Sequence, residues 1–291
     1  MVAEETLEGA GSQPQQNPLL RRALDPRAGV STQRRLERDL KSAVLEGGLA
    51  LYYQPRLALA SGGIVAAEAL LRWPHPRLGL ISPATFIPVA ERTNLITEIG
   101  GIVLRGACRE AVPWLGTTPP IVSVNVAARQ VTGGALLGQI AAALDASGLP
   151  AERLELELTE STMLEISLET TLTLAAVRDL GVGIALDDFG TGYASLATLK
   201  RLPLTAVKLD RSLIRALPED CEDAAIVQAL VATGHALGLS VVAEGIETEV
   251  QRAFLAGIGC DEGQGFLFSH PQPPAAFATR LMAMAEEAEC G

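Results

Sequence analysis

Leu49-Ala50-Leu51-Tyr52-Tyr53 and Gly63-Ile64-Val65-Ala66-Ala67-Glu68-Ala69-Leu70 are two short apolar runs joined by the link Gln54–Gly62. Each has the length and composition of a β-strand. Parallel neighbours need a crossover of about a dozen residues or more. This link is too short for one and carries Ser61-Gly62-Gly63, so the pair reads as a hairpin. Further strand candidates follow at Ile121–Val126, Leu154–Leu158, Val182–Leu186, Ala206–Leu209, Ser240–Ala243 and Gly265–Phe268. Helical patterns fill the intervals at Glu98–Leu115, Leu136–Ser147, Ser167–Leu180, Ala224–Leu237 and Glu247–Leu255. Strands alternating with helices over about 250 residues predict an α/β fold, a modified TIM (β/α)8 barrel with one antiparallel strand.

Upstream of the first strand, Leu36, Leu40, Ala43 and Val44 fall on one helical face. The helix is predicted to begin near Gln33, with Ser31 or Thr32 as its cap, and to end at Gly47-Gly48. Residues 1–30 are rich in Gly, Gln, Pro and charge without periodicity. They read as a flexible leader or interdomain linker, and 31–285 as one catalytic domain.

The 291 residues carry a formal net charge of −11. That argues against DNA, whose phosphates are held mainly by clustered Lys and Arg. A small anionic ligand is still possible where metals reverse the local sign. The first residues lack a signal peptide's basic start and apolar run. No apolar run approaches the roughly 18 residues of a membrane span. The expectation is a soluble, cytoplasmic protein without membrane insertion. Cys108, Cys221, Cys260 and Cys290 form no CxxC pair and read as reduced thiols. His75, His235 and His270 are far apart, so any metal site rests on oxygen ligands, which suit magnesium, manganese or calcium.

Polar residues interrupt or end the apolar runs: Glu68, Asn125, Glu157, Asp187, Asp188, Lys208, Asp210, Glu244 and Gln264. In a barrel, C-terminal strand ends converge on one mouth. One acidic residue after a strand is commonly a helix cap or a solvated turn. Carboxylates gathered at one mouth repel one another unless compensated. Two divalent cations supply that compensation, and adjacent Asp187 and Asp188 allow one to bridge while the other serves the second ion. Lys208 and Asp210 share a strand face. The simplest reading of that pair is a salt bridge; beside metals, Lys208 suits a partner of the attacking water or a phosphate.

The ordered series Glu68-Ala69-Leu70-Leu71-Arg72-Trp73, His75-Pro76, Asn125, Glu157-Leu158-Thr159-Glu160, Asp187-Asp188-Phe189-Gly190-Thr191-Gly192-Tyr193, Lys208-Leu209-Asp210, Ala243-Glu244-Gly245-Ile246-Glu247-Thr248 and Gln264-Gly265-Phe266 resembles the signature of EAL domains, the cyclic di-GMP-specific phosphodiesterases. The resemblance covers roughly residues 34–280. It implies hydrolysis of cyclic di-GMP to linear pGpG with two magnesium or manganese ions, calcium being inhibitory. By the same resemblance, Glu68, Asn125, Glu157 and Asp187 are ligands of one ion, and Asp187, Asp188 and Glu244 of the other. Glu244 and Lys208 flank the nucleophilic water, with Glu244 the better candidate for its base. Gln54, Leu71, Arg72, Asp210 and Gln264 contact substrate. Glu160, with Gly190 and Gly192, anchors the loop Asp188–Leu196. A homodimer, and control by an attached sensory or GGDEF domain, are further implications.

Two positions depart from the family pattern. Val126-Ala127 stands where Leu-Ser is usual, and Asn94 stands where glycine is usual. Asn tolerates a left-handed backbone fairly well. The competing reading is an EAL domain without catalysis that serves as a cyclic di-GMP receptor or protein-interaction module. It predicts missing ligands, whereas every ligand position is filled. Asp188-Phe189-Gly190 also matches a kinase triplet, but no Gly-rich nucleotide loop or HRD motif accompanies it. Trp73 and His75 read as packing and turn residues.

Overall fold

The computed structural model describes residues 30–116, 119–160, 162, 167–190 and 196–290. The leader predicted over residues 1–30 lies, but for Val30, outside them. The chain divides into two compact units. The smaller ends its first segment at Ala50 and resumes over Leu71–Glu98; the larger holds Leu51–Leu70 and the chain from Ile99 onward.

The larger unit is built on the barrel. Its strands are β1 (Ala50–Ala58), β2 (Ile64–His75, shared with the smaller unit), β4 (Ile121–Asn125), β5 (Leu154–Thr159), β6 (Gly183–Phe189), β7 (Ala206–Leu209), β8 (Ser240–Ala243) and β9 (Glu262–Gly263). They follow the order β1-β9-β8-β7-β6-β5-β4-β2, and a β1–β2 pairing closes the ring. Pairings from β2 through β4 to β9 are parallel, and β1 lies antiparallel to β9. The hairpin and the single reversed strand are thus as the short link requires. The turn is sealed where the Gly62 amide donates to the Ala58 carbonyl and the Ala58 amide to the Gly63 carbonyl.

The eighth barrel strand is a correction. Glu262–Gly263 pairs with β8, whereas residues 265–268 form a turn. The apolar run Gly265–Phe268 suggested a strand, but the Gly265 carbonyl accepts from the Phe268 and Ser269 amides and curls the backbone. Strand β2 also runs on to His75, so Glu68 sits within it.

Both faces of these strands are buried, for different reasons. Leu154, Leu156 and Leu158, with Val122, Val124, Ile184, Leu186, Val207, Leu209 and Val241, form one apolar set under the helices. The alternate residues of the same strands point to the barrel axis and are largely polar. Strands buried on both faces ordinarily read as continuous apolar runs. Glu155-Leu156-Glu157 departs from that because its second face is the site.

Helices of this unit include α3 (Leu95–Ala111, shared), α4 (Ala128–Thr132), α5 (Leu136–Ser147), α6 (Leu168–Asp179), α7 (Leu196–Arg201), α8 (Arg211–Ile214), α9 (Cys221–Ala236), α10 (Glu249–Gly257) and α11 (Pro274–Cys290). Helix α5 has the span predicted for it. Ser167 caps α6, its side chain accepting from the Thr170 amide. Thr248 and Gln251 form a capping box on α10. No helix among the described residues is long and apolar enough to cross a membrane.

In the smaller unit, α1 (Val30–Glu46) starts before the expected cap and ends ahead of Gly47. Strand β3 (Gly79–Ile81) pairs antiparallel with the far end of β2, and α2 (Pro83–Arg92) follows. Trp73 packs edge-on against Phe86, and His75 Nδ1 accepts from the Arg77 and Leu78 amides. These are the packing and turn roles expected of them. Asn94 adopts φ 59°, the left-handed conformation anticipated there.

Cys108 and Cys260 are buried and Cys221 exposed, all as free thiols. Burial pushes the Cys108 thiol up to about 11 and the Cys260 thiol up to about 12. Only the thiolate alkylates readily. Iodoacetamide at pH 8 is therefore expected to label Cys221 in the native protein and spare Cys108 and Cys260 until denaturant is added, as read by peptide mapping.

Candidate functional site

Following the axis-facing positions upward gives two rings. The lower is Arg56, Ala66, Ser123, Glu155, Ala185, Ala206, Val242 and Glu262; the upper is Gln54, Glu68, Asn125, Glu157, Asp187, Lys208, Glu244 and Gln264. Each strand contributes one residue to the lower ring, and the upper ring takes the residue two positions away by strand periodicity, Glu244 and Gln264 standing just past the ends of β8 and β9. Every upper-ring residue was singled out in the sequence, and their side chains meet through contacts on Lys208 and Glu68, Gln54 by way of Gln264.

Lys208 is the hub. Its buried Nζ lies 2.6 Å from Glu244 Oε1, 2.8 Å from Glu157 Oε2, 3.3 Å from Asp187 Oδ1 and 3.9 Å from Glu68 Oε2. Asn125 Nδ2 donates to Glu68 Oε1 at 2.8 Å, and Gln264 Nε2 to Glu68 Oε2 at 2.6 Å. Gln264 also donates to Gln54 Oε1, and Gln54 Nε2 to the Ser269 carbonyl. The simple Lys208–Asp210 pair is not what forms. Asp210 instead caps α8, accepting from the Ser212 amide at 2.9 Å.

One cation among four carboxylates leaves the charge uncompensated, and the carboxyl groups register it unequally. Burial pushes Glu157 well above the usual carboxylate range, and neighbouring Glu68 adds to the effect against Lys208. Glu244 keeps 20% of its side chain open, yet protein surrounds the rest. Burial drives its carboxyl up to about 7, with Asp187 and Glu68 adding and Lys208 opposing. For Glu68, burial acts upward but is overcome by Lys208 and by hydrogen bonds from Gln264 and Asn125, which hold it below the usual range. Burial works against the Lys208 ammonium, but Glu157 and Glu244 overcome it and hold its pKa well above the usual lysine value.

Asp187 and Asp188 lie where the β6–β7 register shifts between Leu186 and Phe189. Asp188 takes φ 58°, and its amide donates to Asp187 Oδ1 at 3.0 Å. An irregularity of this kind can re-aim a side chain, and Asp188 interacts electrostatically with Asp187, Asp210 and Lys208. Burial raises the Asp188 carboxyl, with Asp187 and Asp210 contributing. Gly190 has φ 103°, a conformation open to glycine. Glu160 is buried; Gly192 and most of the loop it was expected to anchor lie outside the described residues.

A pocket opens above the ring, lined by Gln54, Glu68, Glu244, Gln264, Arg211 and Phe266, among others. Leu70 also lines it. Leu71 and Arg72 belong to the smaller unit, where Arg72 donates to the Leu71 carbonyl. Sequence reading assigned no site role to Arg211 or to the exposed Phe266. Nor did it give a role to Gly265, where a Cβ would fall 2.0 Å from the Ile246 carbonyl oxygen. That backbone contact cannot give way as a flexible side chain could. Gly265→Ala is expected to cost about 3 kcal/mol or more, the upper part of the ordinary range, and to loosen Gln264 from Glu68. Urea unfolding measures the first effect.

A family model described as the EAL domain matches residues 37–271. The chain belongs to the EAL domain family. It is 44% identical over 248 residues to the Pseudomonas aeruginosa bifunctional diguanylate cyclase/cyclic di-GMP phosphodiesterase MucR, covering 84% of this chain and 36% of that protein. It is also 44% identical over 250 residues to the cyclic di-GMP phosphodiesterase NbdA of the same organism, covering 85% and 32%. This EAL chain thus spans about a third of the length of these relatives. Among solved structures, the PaMucR phosphodiesterase–c-di-GMP complex aligns at TM-score 0.80 and 44% identity over 84% of this chain and 99% of that one. The EAL domain of Mycobacterium smegmatis DcpA aligns at TM-score 0.71 and 35% identity over 81% and 98%.

Proposed function

We propose that this EAL domain is a magnesium- or manganese-dependent phosphodiesterase that opens cyclic di-GMP to linear pGpG. The observation that carries the proposal is the upper ring, in which four carboxylates and three amides surround one buried lysine beneath a pocket. The family's named relatives point to the same substrate.

Among the described residues, no group of three or more His, Cys, Asp or Glu side chains is arranged to hold a metal ion. The carboxylates are instead drawn in on Lys208. The donor set still fits hard divalent cations, being all oxygen and strongly anionic. One oxygen in particular, Glu157 Oε1, is buried without a hydrogen-bond partner. Glu68, Asn125, Glu157 and Asp187 would hold one ion, and Asp187, Asp188 and Glu244 the other. When bound, such a pair supplies an activated water and offsets charge on a phosphoryl group.

The chain's own residues do the rest. Glu244 accepts the proton of the attacking water. Lys208 offsets negative charge on the phosphoryl oxygens as the 3′ oxygen departs. Gln54 and Gln264 form the pocket wall against the nucleotide, with Asp210 and Leu71 in the substrate-contacting set. Arg72 grips a phosphate with its planar fork. Glu160 and the glycines of the loop Asp188–Leu196 set the position of Asp188. A cytoplasmic homodimer coupled to a further regulatory domain belongs to the same proposal.

Parallel titrations with manganese and calcium chloride, each followed by cyclic di-GMP, test the assignment. Both ions are expected to bind, and only manganese to give rapid linear product, because calcium's looser coordination activates water less well. Equal turnover with calcium, or no binding of either ion, would overturn it. The pH dependence follows from Glu244. Its metal-free carboxyl titrates near 7. The proton must leave before the oxygens can bind a cation. Manganese affinity is therefore expected to rise as pH climbs toward 7 and to level off above it.

A further inference from the structure

The lower ring holds a second buried cation that the proposed chemistry does not use. Arg56 is 2% exposed. Its Nη1 donates to Glu155 Oε1 at 2.8 Å, and its Nε lies 2.5 Å from Glu262 Oε2, an ion contact outside hydrogen-bond alignment. The same Nη1 lies 4.0 Å from Glu157 Oε1. Glu157 is thus held between two cations. Lys208 takes Oε2 at 2.8 Å, and Arg56 faces Oε1, the oxygen with no hydrogen bond. Glu155 and Glu157 share one strand face, so the bond to Glu155 fixes the arginine directly below Glu157.

We infer that Arg56 is a positioning residue for Glu157, acting from the barrel floor to fix the carboxylate that the upper ring presents to a divalent ion. This rests on the assignment of Glu157 as a metal ligand. The guanidinium suits the place because its rigid fork meets several carboxylates at once, which a lysine ammonium cannot do in the same way. Partners behind metal ligands commonly change affinity by about 10- to 100-fold. Charge alone pulls the other way, since deleting Arg56 also removes a positive charge near the incoming cation. Variants that conserve charge therefore isolate the positioning effect.

The test is calorimetric titration of the purified full chain with manganese chloride, far below the melting temperature. Arg56→Lys is expected to weaken manganese binding about tenfold or more, as is the paired change Arg56→Met with Glu155→Gln, which keeps the net charge. The pair decides the matter if Arg56→Lys does not fold. A purely structural Arg56 would lower the melting temperature and leave affinity unmoved; either folded variant binding manganese within twofold of the unaltered protein would overturn the inference. Failure of the unaltered protein to bind manganese would instead sink the metal assignment itself.

Discussion

Glu244→Ala should lose turnover of cyclic di-GMP by about 10³-fold or more while retaining nucleotide binding. Removing a general base alone costs roughly 10²- to 10⁴-fold, and Glu244 is also assigned to the metal set. Its carboxylate lies 2.6 Å from Lys208 at the rim of the pocket. Truncation leaves Glu68, Glu157 and Asp187 in place, so the ring keeps most of its charge. Circular dichroism should show a folded barrel, and calorimetry in calcium should show the dinucleotide still bound. Near-normal turnover would remove Glu244 from the role.

Lys208→Met should have the larger effect on stability. The side chain is fully buried, and its ammonium is the cation shared by Glu68, Glu157, Asp187 and Glu244. Methionine keeps the volume and removes the charge. Breaking a buried ion pair by deleting one partner costs about 3–5 kcal/mol, and here one deletion strips several carboxylates. The sign with pH is fixed by those carboxylates. Burial already pushes the Glu157 carboxyl well above the usual range, with Glu68 adding to it and Lys208 opposing. Without Lys208 its neighbours move the same way, so the folded state binds protons more tightly than the unfolded chain. The deficit should then be small near pH 5 and grow as pH rises. Manganese should restore part of it, because an ion that binds only the folded state stabilises by mass action. Urea midpoints at pH 5 and pH 8, with and without manganese, read all of this. A variant equally stable at both pH values and indifferent to metal would contradict the charge ledger of the ring.

The legible part of the site was the part that breaks a pattern. Glu157 stands in Leu154–Leu158, and Lys208 in Ala206–Leu209, where apolar residues are expected. Strand periodicity and barrel closure then suffice to bring them together. The reversed first strand was legible for a similar reason, since nine residues of link from Gln54 to Gly62 forbid a crossover. The last strand was not. Only Glu262–Gly263 pair with β8, and the more apolar Gly265–Phe268 drew the assignment downstream. Tight backbone contact between Gly265 and Ile246 decides that segment, and composition does not encode such a contact. Arg56, Glu155 and Glu262 were passed over because each reads singly as an ordinary surface charge. Their meeting depends on register across three strands, β1, β5 and β9. Helix α2 escaped because Pro88 lies inside Pro83–Arg92 and proline usually ends a helix.

On the proposed function, the ring carboxylates would hold the divalent cations that activate water against a phosphodiester. Incubating the purified chain with cyclic di-GMP, with magnesium, manganese or chelator, and separating the nucleotides tests it most directly. pGpG is expected to accumulate with either metal and to be absent with chelator. Cyclic di-GMP that stays bound and intact in both metals would contradict it and mark the domain as a receptor.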